Sequence, residues 1–388
     1  MHVLKVLERH ADARTLLEPA LAPGGVPSHA YLFHGPGGAG KRQAAREFAA
    51  LLLSQGASDP ASAQARALAG THPDLTWVTP SGAHEILVAD IDAPVVAAAV
   101  KTPFESSRRV FVIESANQLG DDAANRLLKT LEEPAAYVHL ILISDRLADV
   151  LQTVRSRCQL VRFQGPSAGE IEAELTAQGV EHKTARAYSV LALDDANRAR
   201  RLASAEGSSV RDGALALVRA TLHELASGSL SGEAGGQDRR HSAPWEALLS
   251  AVRECGELAR TELEQRAAAA VELSPSRERK RVESEWEERA KRGRRRAETS
   301  ALELGLDLIE SWLLDLMALS SGAADLVRNS DLTAELEADL QAVRNHQPKV
   351  WAAAVELVED TRCRLRRNVT EDLVLEALAY RLAEGLQR

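Results

Sequence analysis

Four short apolar runs divide the first 165 residues. Ala30–His34 reads AYLFH, Leu75–Val78 reads LTWV, Val110–Ile113 reads VFVI, and Val138–Ile143 reads VHLILI. The third and fourth are rich in β-branched residues and unbroken by charge, as strands buried on both faces must be. Between the runs, 41–54 (KRQAAREFAALLLS) has helical composition, and 121–133 reads as a helix stopped by Pro134. Strands alternating with helices predict an α/β domain with a parallel sheet.

A break at Gln164-Gly165-Pro166-Ser167 ends this pattern. Short helices are expected to about Ala205, and beyond Gly207 everything reads as helix except a Gly- and Ser-rich loop, Ser227–Pro244. Leu302, Leu306, Ile309, Leu313 and Leu316 recur at helical spacing, as do Leu375, Leu378, Leu382 and Leu386. Such apolar stripes must bury against a partner. The fold class is therefore α/β plus all-α, in three segments: 1–165, 166–207 and 208–388, the last with a charged stretch at 262–298.

A chain of 388 residues accommodates two or three domains, and its 45% hydrophobic content supplies cores that need no disulfide or metal. A formal net charge of −9 argues against a surface coated with basic charge for nucleic acid, while leaving room for a local basic patch. Cys158, Cys255 and Cys363 form no CxxC pair, which excludes a zinc ribbon, a thioredoxin motif and a disulfide framework. A reducing cytoplasm is the expected location. The opening MHVLKVLERHADART is too polar for a signal peptide, and no run of about 18 apolar residues predicts a membrane span.

The richest chemical signal is Gly35-Pro-Gly-Gly38-Ala-Gly40-Lys41-Arg42, which follows a strand and opens a helix. This is the GxxxxGK phosphate loop in its required context. Glycines let backbone N–H groups turn inward, the helix N-terminus adds positive potential, and Lys41 would reach the outer phosphates. Arg42 departs from the pattern, because a Ser or Thr hydroxyl is needed there to hold Mg²⁺. A guanidinium has no lone pair to offer and repels a divalent cation. The strand VFVIE ends at Glu114-Ser115, where an active ATPase carries two acids. Ser115 is a poor general base, and losing such a base costs about 10²–10⁴ in rate. The expectation is weakened binding of ATP or ADP and little or no hydrolysis.

The stretch Asn125-Arg-Leu-Leu-Lys129-Thr-Leu-Glu132-Glu133-Pro134, followed by Ser156-Arg157-Cys158, makes the signal specific. In order with the loop and the acidic strand end, it resembles the clamp-loader branch of the AAA+ family, and within it the delta-prime subunits of bacterial DNA polymerase III. The resemblance spans about residues 10–205 by motif. It implies a RecA-like AAA+ P-loop domain (1–165), a small helical lid (166–207) and a helical collar that joins subunits (208–388). It implies a stator with no activity of its own, in a DNA-directed DNA polymerase holoenzyme whose partner subunits hydrolyse ATP. The implied partners are gamma/tau-like and delta-like subunits in a hetero-pentamer, the sliding clamp, and primer–template DNA through the complex.

By the same resemblance, Arg157 reaches a neighbour's ATP in trans; the alternative is an arginine paired with a carboxylate of its own domain. Ser156 and Cys158 would position it. Ser144 falls where active relatives sense the γ-phosphate, and Arg198 where a lid arginine touches nucleotide, against the plainer reading of an exposed helix arginine. Many relatives carry four zinc-binding cysteines after the phosphate-loop helix, but this chain has none there and His72 stands alone. No zinc or other metal is expected. Residues 276–296 mix basic side chains with Glu283, Glu285, Glu287 and Glu288, and read either as a solvated helix or as a surface for DNA or a partner subunit. Three other functions stay open: an active AAA+ motor subunit, a pure scaffold, and a small-molecule P-loop kinase, which would leave Ser156-Arg157-Cys158 unexplained.

Overall fold

The apolar runs form the heart of a five-stranded sheet. In a computed structural model of the chain, β1 (Ala30–His34), β2 (Leu75–Val78), β3 (Arg109–Ile113), β4 (Val138–Ser144) and β5 (Gln159–Arg162) are all parallel, in the order β2-β3-β4-β1-β5. The structure describes residues 5–22, 24–82, 85–227, 243–277, 279–343, 347–365 and 369–387. The Gly- and Ser-rich loop read from the sequence lies, apart from its ends, outside the described residues. Contacts divide the chain into two compact units, Met1–Ser167 with Asp194–Asn197, and Ala168–Leu193 with Arg198–Arg388.

In the first unit, side chains alternate across the pleat, so each strand feeds two cores. Tyr31, Phe33, Val110, Val112, Ile141 and Val161 pack with Leu17 of α1 (Ala11–Leu21) and with Phe48 and Leu52 of α2 (Lys41–Ser54). Leu32, Phe111, Ile113, Leu140 and Leu142 face Ile91, Val95, and Leu127 and Leu131 of the helix before Pro134. Burial on both faces is why these strands are continuous apolar runs and not alternating ones. A further helix, α3 (Pro60–Ala69), is capped by the Asp59 carboxylate, which accepts from the Ser62 amide at 3.1 Å. The helix before Pro134 is α4 (Asp121–Glu132), one residue shorter than its sequence pattern, because Glu133 leaves helical geometry ahead of the proline.

His139 is the polar exception inside β4. Its Nδ1 lies 2.9 Å from the Ser28 carbonyl, an acceptor, so Nδ1 carries the proton. The His29 ring stacks on it at 5.8 Å. Burial pushes its pKa down to about 4. The unfolded chain therefore binds a proton near pH 6.5 that the folded one refuses until about pH 4. Stability is fully present above pH 6.5 and is lost as the pH falls through that window, by about 3 kcal/mol in all. Urea unfolding at a series of pH values should show wild type losing this much more than His139→Gln between pH 7 and 4. Equal losses would refute the assignment.

The second unit is helical. Its elements are α5 (Ala168–Ala177), α6 (His182–Leu191), α7 (Ala196–Ala203, whose first two residues belong to the first unit), α8 (Ala205–Ser227), α9 (Glu246–Leu273), α10 (Arg279–Ser320), α11 (Thr333–Ala342), α12 (Pro348–Leu365) and α13 (Glu371–Gln387). All five positions of the 302–316 stripe and all four of the 375–386 stripe are buried. They share one core with Leu175, Leu191, Leu217, Leu222 and Trp312. Trp312 Nε1 donates to the Asp339 carboxylate at 3.0 Å, and Arg219 and His223 donate to the same group. Among the described residues, no helix is long and apolar enough to cross a membrane.

Candidate functional site

The glycine-rich turn joins β1 to α2 in the middle of the sheet, beside the end of β4, where strand order lets a ligand-binding crevice form. Gly38 and Gly40 have φ of 74° and 79°, a region closed to most side chains, so the backbone takes the shape that the loop motif requires. The loop's other residues are engaged from within their own unit. A Cβ at Gly37 would collide with the Asp195 carboxylate, and one at Gly38 would press on Ala196.

Lys41 is 4% exposed. Its Nζ donates to the carbonyls of Gly35 at 2.6 Å and Pro36 at 2.5 Å, and lies 2.8 Å from Asp145 Oδ1. Three acceptors match the three protons of an ammonium group, so the lysine that would meet a phosphate is already satisfied. Arg42 does more than lack a hydroxyl. Its Nε donates to Glu114 Oε1 at 2.5 Å, and Trp77 Nε1 donates to the same oxygen at 2.5 Å. The Arg46 guanidinium stacks over the Trp77 ring at 5.0 Å. The one acid at the end of β3 thus has a resident cation from its own chain. Ser115 follows with φ of 54°, unusual for a side chain with a Cβ, and starts the single turn Ala116–Gln118.

Ser144 is fully buried at the end of β4. Its hydroxyl donates to the Arg146 carbonyl at 2.9 Å, lies 3.2 Å from Asn117 Oδ1 as a second acceptor for the same proton, and accepts from the Arg146 amide. Arg198 lies in the helical unit, where its Nη1 donates to Asp307 Oδ2 at 2.5 Å. The first unit therefore brings together Gly35, Gly38, Gly40, Lys41, Arg42 and Glu114, with Ser115 and Ser144 at the adjoining strand ends. Sequence reading missed Asp145, Trp77 and Asp195. Asp145 could have been found from its place directly after a central strand; Trp77 carried no such signal.

Arg157 lies elsewhere in this unit. Its Nε donates to Glu132 Oε1 at 2.8 Å, and its Nη2 also contacts that oxygen. Nη1 donates to the Thr153 carbonyl at 2.8 Å and to Ser156 Oγ at 3.3 Å. One third of the side chain stays exposed. The NxLLKxLEEP segment and the Ser-Arg-Cys triplet thus meet in space, through Glu132 and Arg157. Asn125, Lys129 and Glu133 point to solvent, and the Glu133 amide donates to the Lys129 carbonyl to close α4 ahead of Pro134. Burial pushes the Cys158 thiol up to about 12, so it is not a nucleophile at neutral pH. His72 is a buried ring whose Nδ1 accepts from the Asp74 amide at 3.1 Å and whose Nε2 lies 3.3 Å from Glu105. Burial is the main cause holding its pKa down. No group of three or more metal-ligating side chains occurs among the described residues.

Residues 11–167 match the protein family described as DNA polymerase III, delta subunit. The chain is 40% identical over 136 residues to DNA polymerase III subunit delta' of Pseudomonas aeruginosa, covering 34% of this chain and 42% of that one. It is 38% identical over 163 residues to the subunit delta' of Bacillus subtilis, covering 41% and 49%. It is 34% identical over 145 residues to the subunit tau of Bacillus subtilis, covering 35% and 25%. The matched region spans less than half the length of these relatives. The order of strands, the glycine loop and the meeting of Glu132 with Arg157 all fall within 11–167, the region over which the chain is similar to the delta' subunits of DNA polymerase III.

Proposed function

We propose that this chain is a delta-prime-like subunit of a DNA polymerase III clamp loader, unable to hydrolyse ATP itself, which acts as a stator and supplies Arg157 to a neighbouring ATPase subunit. The observation that carries this reading is the Arg42–Glu114 ion pair. A guanidinium there takes the acid that would hold Mg²⁺, and Lys41 is committed to Gly35, Pro36 and Asp145. The residues do not fit a Mg²⁺-nucleotide, and Ser115 offers no base. An active motor subunit is disfavoured by the same facts. The partners in this reading are gamma/tau-like and delta-like subunits in a hetero-pentamer, the sliding clamp, and primed DNA through the complex.

The competing reading is a pure scaffold. It is favoured by one observation, that Arg157 is already bonded to Glu132 within its own unit.

Three measurements test the proposal. Isothermal titration of the full chain with ATP and Mg²⁺ should give no saturable heat up to millimolar nucleotide, and the isolated chain should release no phosphate above background. Co-expression with gamma/tau and delta subunits from the same genome should yield a complex containing this chain. Turnover by the chain alone would restore the motor reading, and failure to assemble would remove the clamp-loader reading.

A further inference from the structure

The helical unit contains a long antiparallel hairpin made by α9 and the first half of α10. Its register is set by three contacts: Leu248 with Gly305, Gly256 with Glu298, and Leu263 with Gly293. A Cβ at Gly293 would collide with Leu263, so the two helices approach closely there. The seam on α10 runs through Trp286, Ala290, Gly293 and Ala297, which are half-buried or buried. Arg294 ties the seam's edge by pairing with Glu257 across the hairpin and with Glu298 on its own helix, both at 2.8 Å.

At 100° per residue, the arc directly opposite this seam carries Lys291, Arg292 and Arg295 around one acid, Glu288, and is flanked by Arg289. All five are exposed. Among the described residues, no carboxylate pairs with Lys291, Arg292 or Arg295; Arg292 Nε donates to the Glu288 carbonyl, and Arg289 stacks on Trp286 at 4.9 Å. This is not the alternating pattern of a helix held by i,i+4 ion pairs. One turn earlier that pattern does hold, with Arg281 on Glu285 at 2.9 Å. The chain as a whole is acidic, at −9, so this stripe is a local reversal of sign.

We propose that the outer face of α10 around Lys291, Arg292 and Arg295 binds the phosphate backbone of duplex DNA directly and without sequence preference. Forked guanidinium groups suit phosphate oxygens. The stripe offers no apolar centre, because the apolar seam is turned inward against α9; a protein partner would need such a centre, and a membrane surface would need an apolar face, whereas a phosphate backbone needs neither. The surface stands on its own geometry and not on the assignment of Arg157.

The test uses the full chain and a fluorescein-labelled 20-base-pair duplex of arbitrary sequence, with anisotropy measured between 50 and 200 mM salt. About four neutralised phosphates predict a slope of log affinity against log salt near −3.6. The variant Lys291→Gln/Arg292→Gln/Arg295→Gln keeps helix-forming side chains, which circular dichroism verifies. It should bind at least tenfold more weakly at 50 mM salt, with a slope reduced by about 2.7. Arg260→Gln/Arg266→Gln, on α9, should bind as wild type does. Equal binding by the triple variant and wild type would overturn the proposal. So would tighter binding of poly-glutamate than of the duplex at equal charge concentration, which would identify an acidic protein as the partner.

Discussion

Arg157→Ala, in a loader reconstituted with clamp and primed DNA, is expected to lower ATP turnover at least tenfold while the complex stays assembled. An arginine acting in trans contributes about 10³–10⁵ to hydrolysis, equivalent to about 4–7 kcal/mol. Its present partner does not compete at that scale. The Arg157–Glu132 pair has side chains 34% and 48% exposed, and such surface pairs contribute about 0–1 kcal/mol. The bond to Glu132 can therefore open when a γ-phosphate is offered. Glu132→Ala should accordingly change turnover by less than tenfold. Arg157→Lys should behave nearly as badly as alanine, because a point charge cannot reproduce the planar fork. An unchanged rate in Arg157→Ala would leave the scaffold reading in its place.

The second large effect is on stability. Arg362→Leu should destabilise the helical unit by about 3–5 kcal/mol. Arg362 is 7% exposed on α12 and meets four acids. Its Nη2 donates to Asp307 at 2.6 Å, its Nη1 donates to Glu310 at 2.7 Å and contacts Glu359, and Nε lies 3.4 Å from Glu303. Arg198 is bound to the other oxygen of Asp307. Removing Arg362 leaves a cluster of partly buried carboxylates with too little positive charge, which is where breaking an ion pair is most costly. For a unit of this size the melting temperature should fall by about 6–20 °C. Calorimetry of the full chain checks it, and adding Glu310→Gln should recover part of the loss. A shift under about 2 °C would show that water already screens the cluster.

Much of the architecture was legible because burial leaves a period in the chain. β1, α2 and β2 fall where the apolar runs and helical composition place them, and the 302–316 and 375–386 stripes are buried at every position read. β5 escaped notice because Gln159–Arg162 sits at the sheet edge, half exposed, with no continuous apolar run. It is a strand because β1 pairs with it, Tyr31 facing Gln159 and His34 facing Arg162. α3 is alanine-rich and weakly patterned, although Asp59 as cap and Pro60 at the first turn were readable signals.

The phosphate loop shows where the boundary lies. Spacing and context identified Gly35, Gly40 and Lys41 as a loop, and residue type marked Arg42 as its defect, since a residue's chemistry is written in its type. Which groups satisfy those charges was settled only in space. Glu114 lies 72 positions from Arg42, and Asp145 and Trp77 belong to other strands and turns. The same holds for Arg157 with Glu132 and for Arg362 with four acids on two helices. Local periodicity records which side of an element faces the core, because that preference repeats every turn or every second residue. An ion pair does not repeat, and its choice of partner depends on where the completed packing brings each charge.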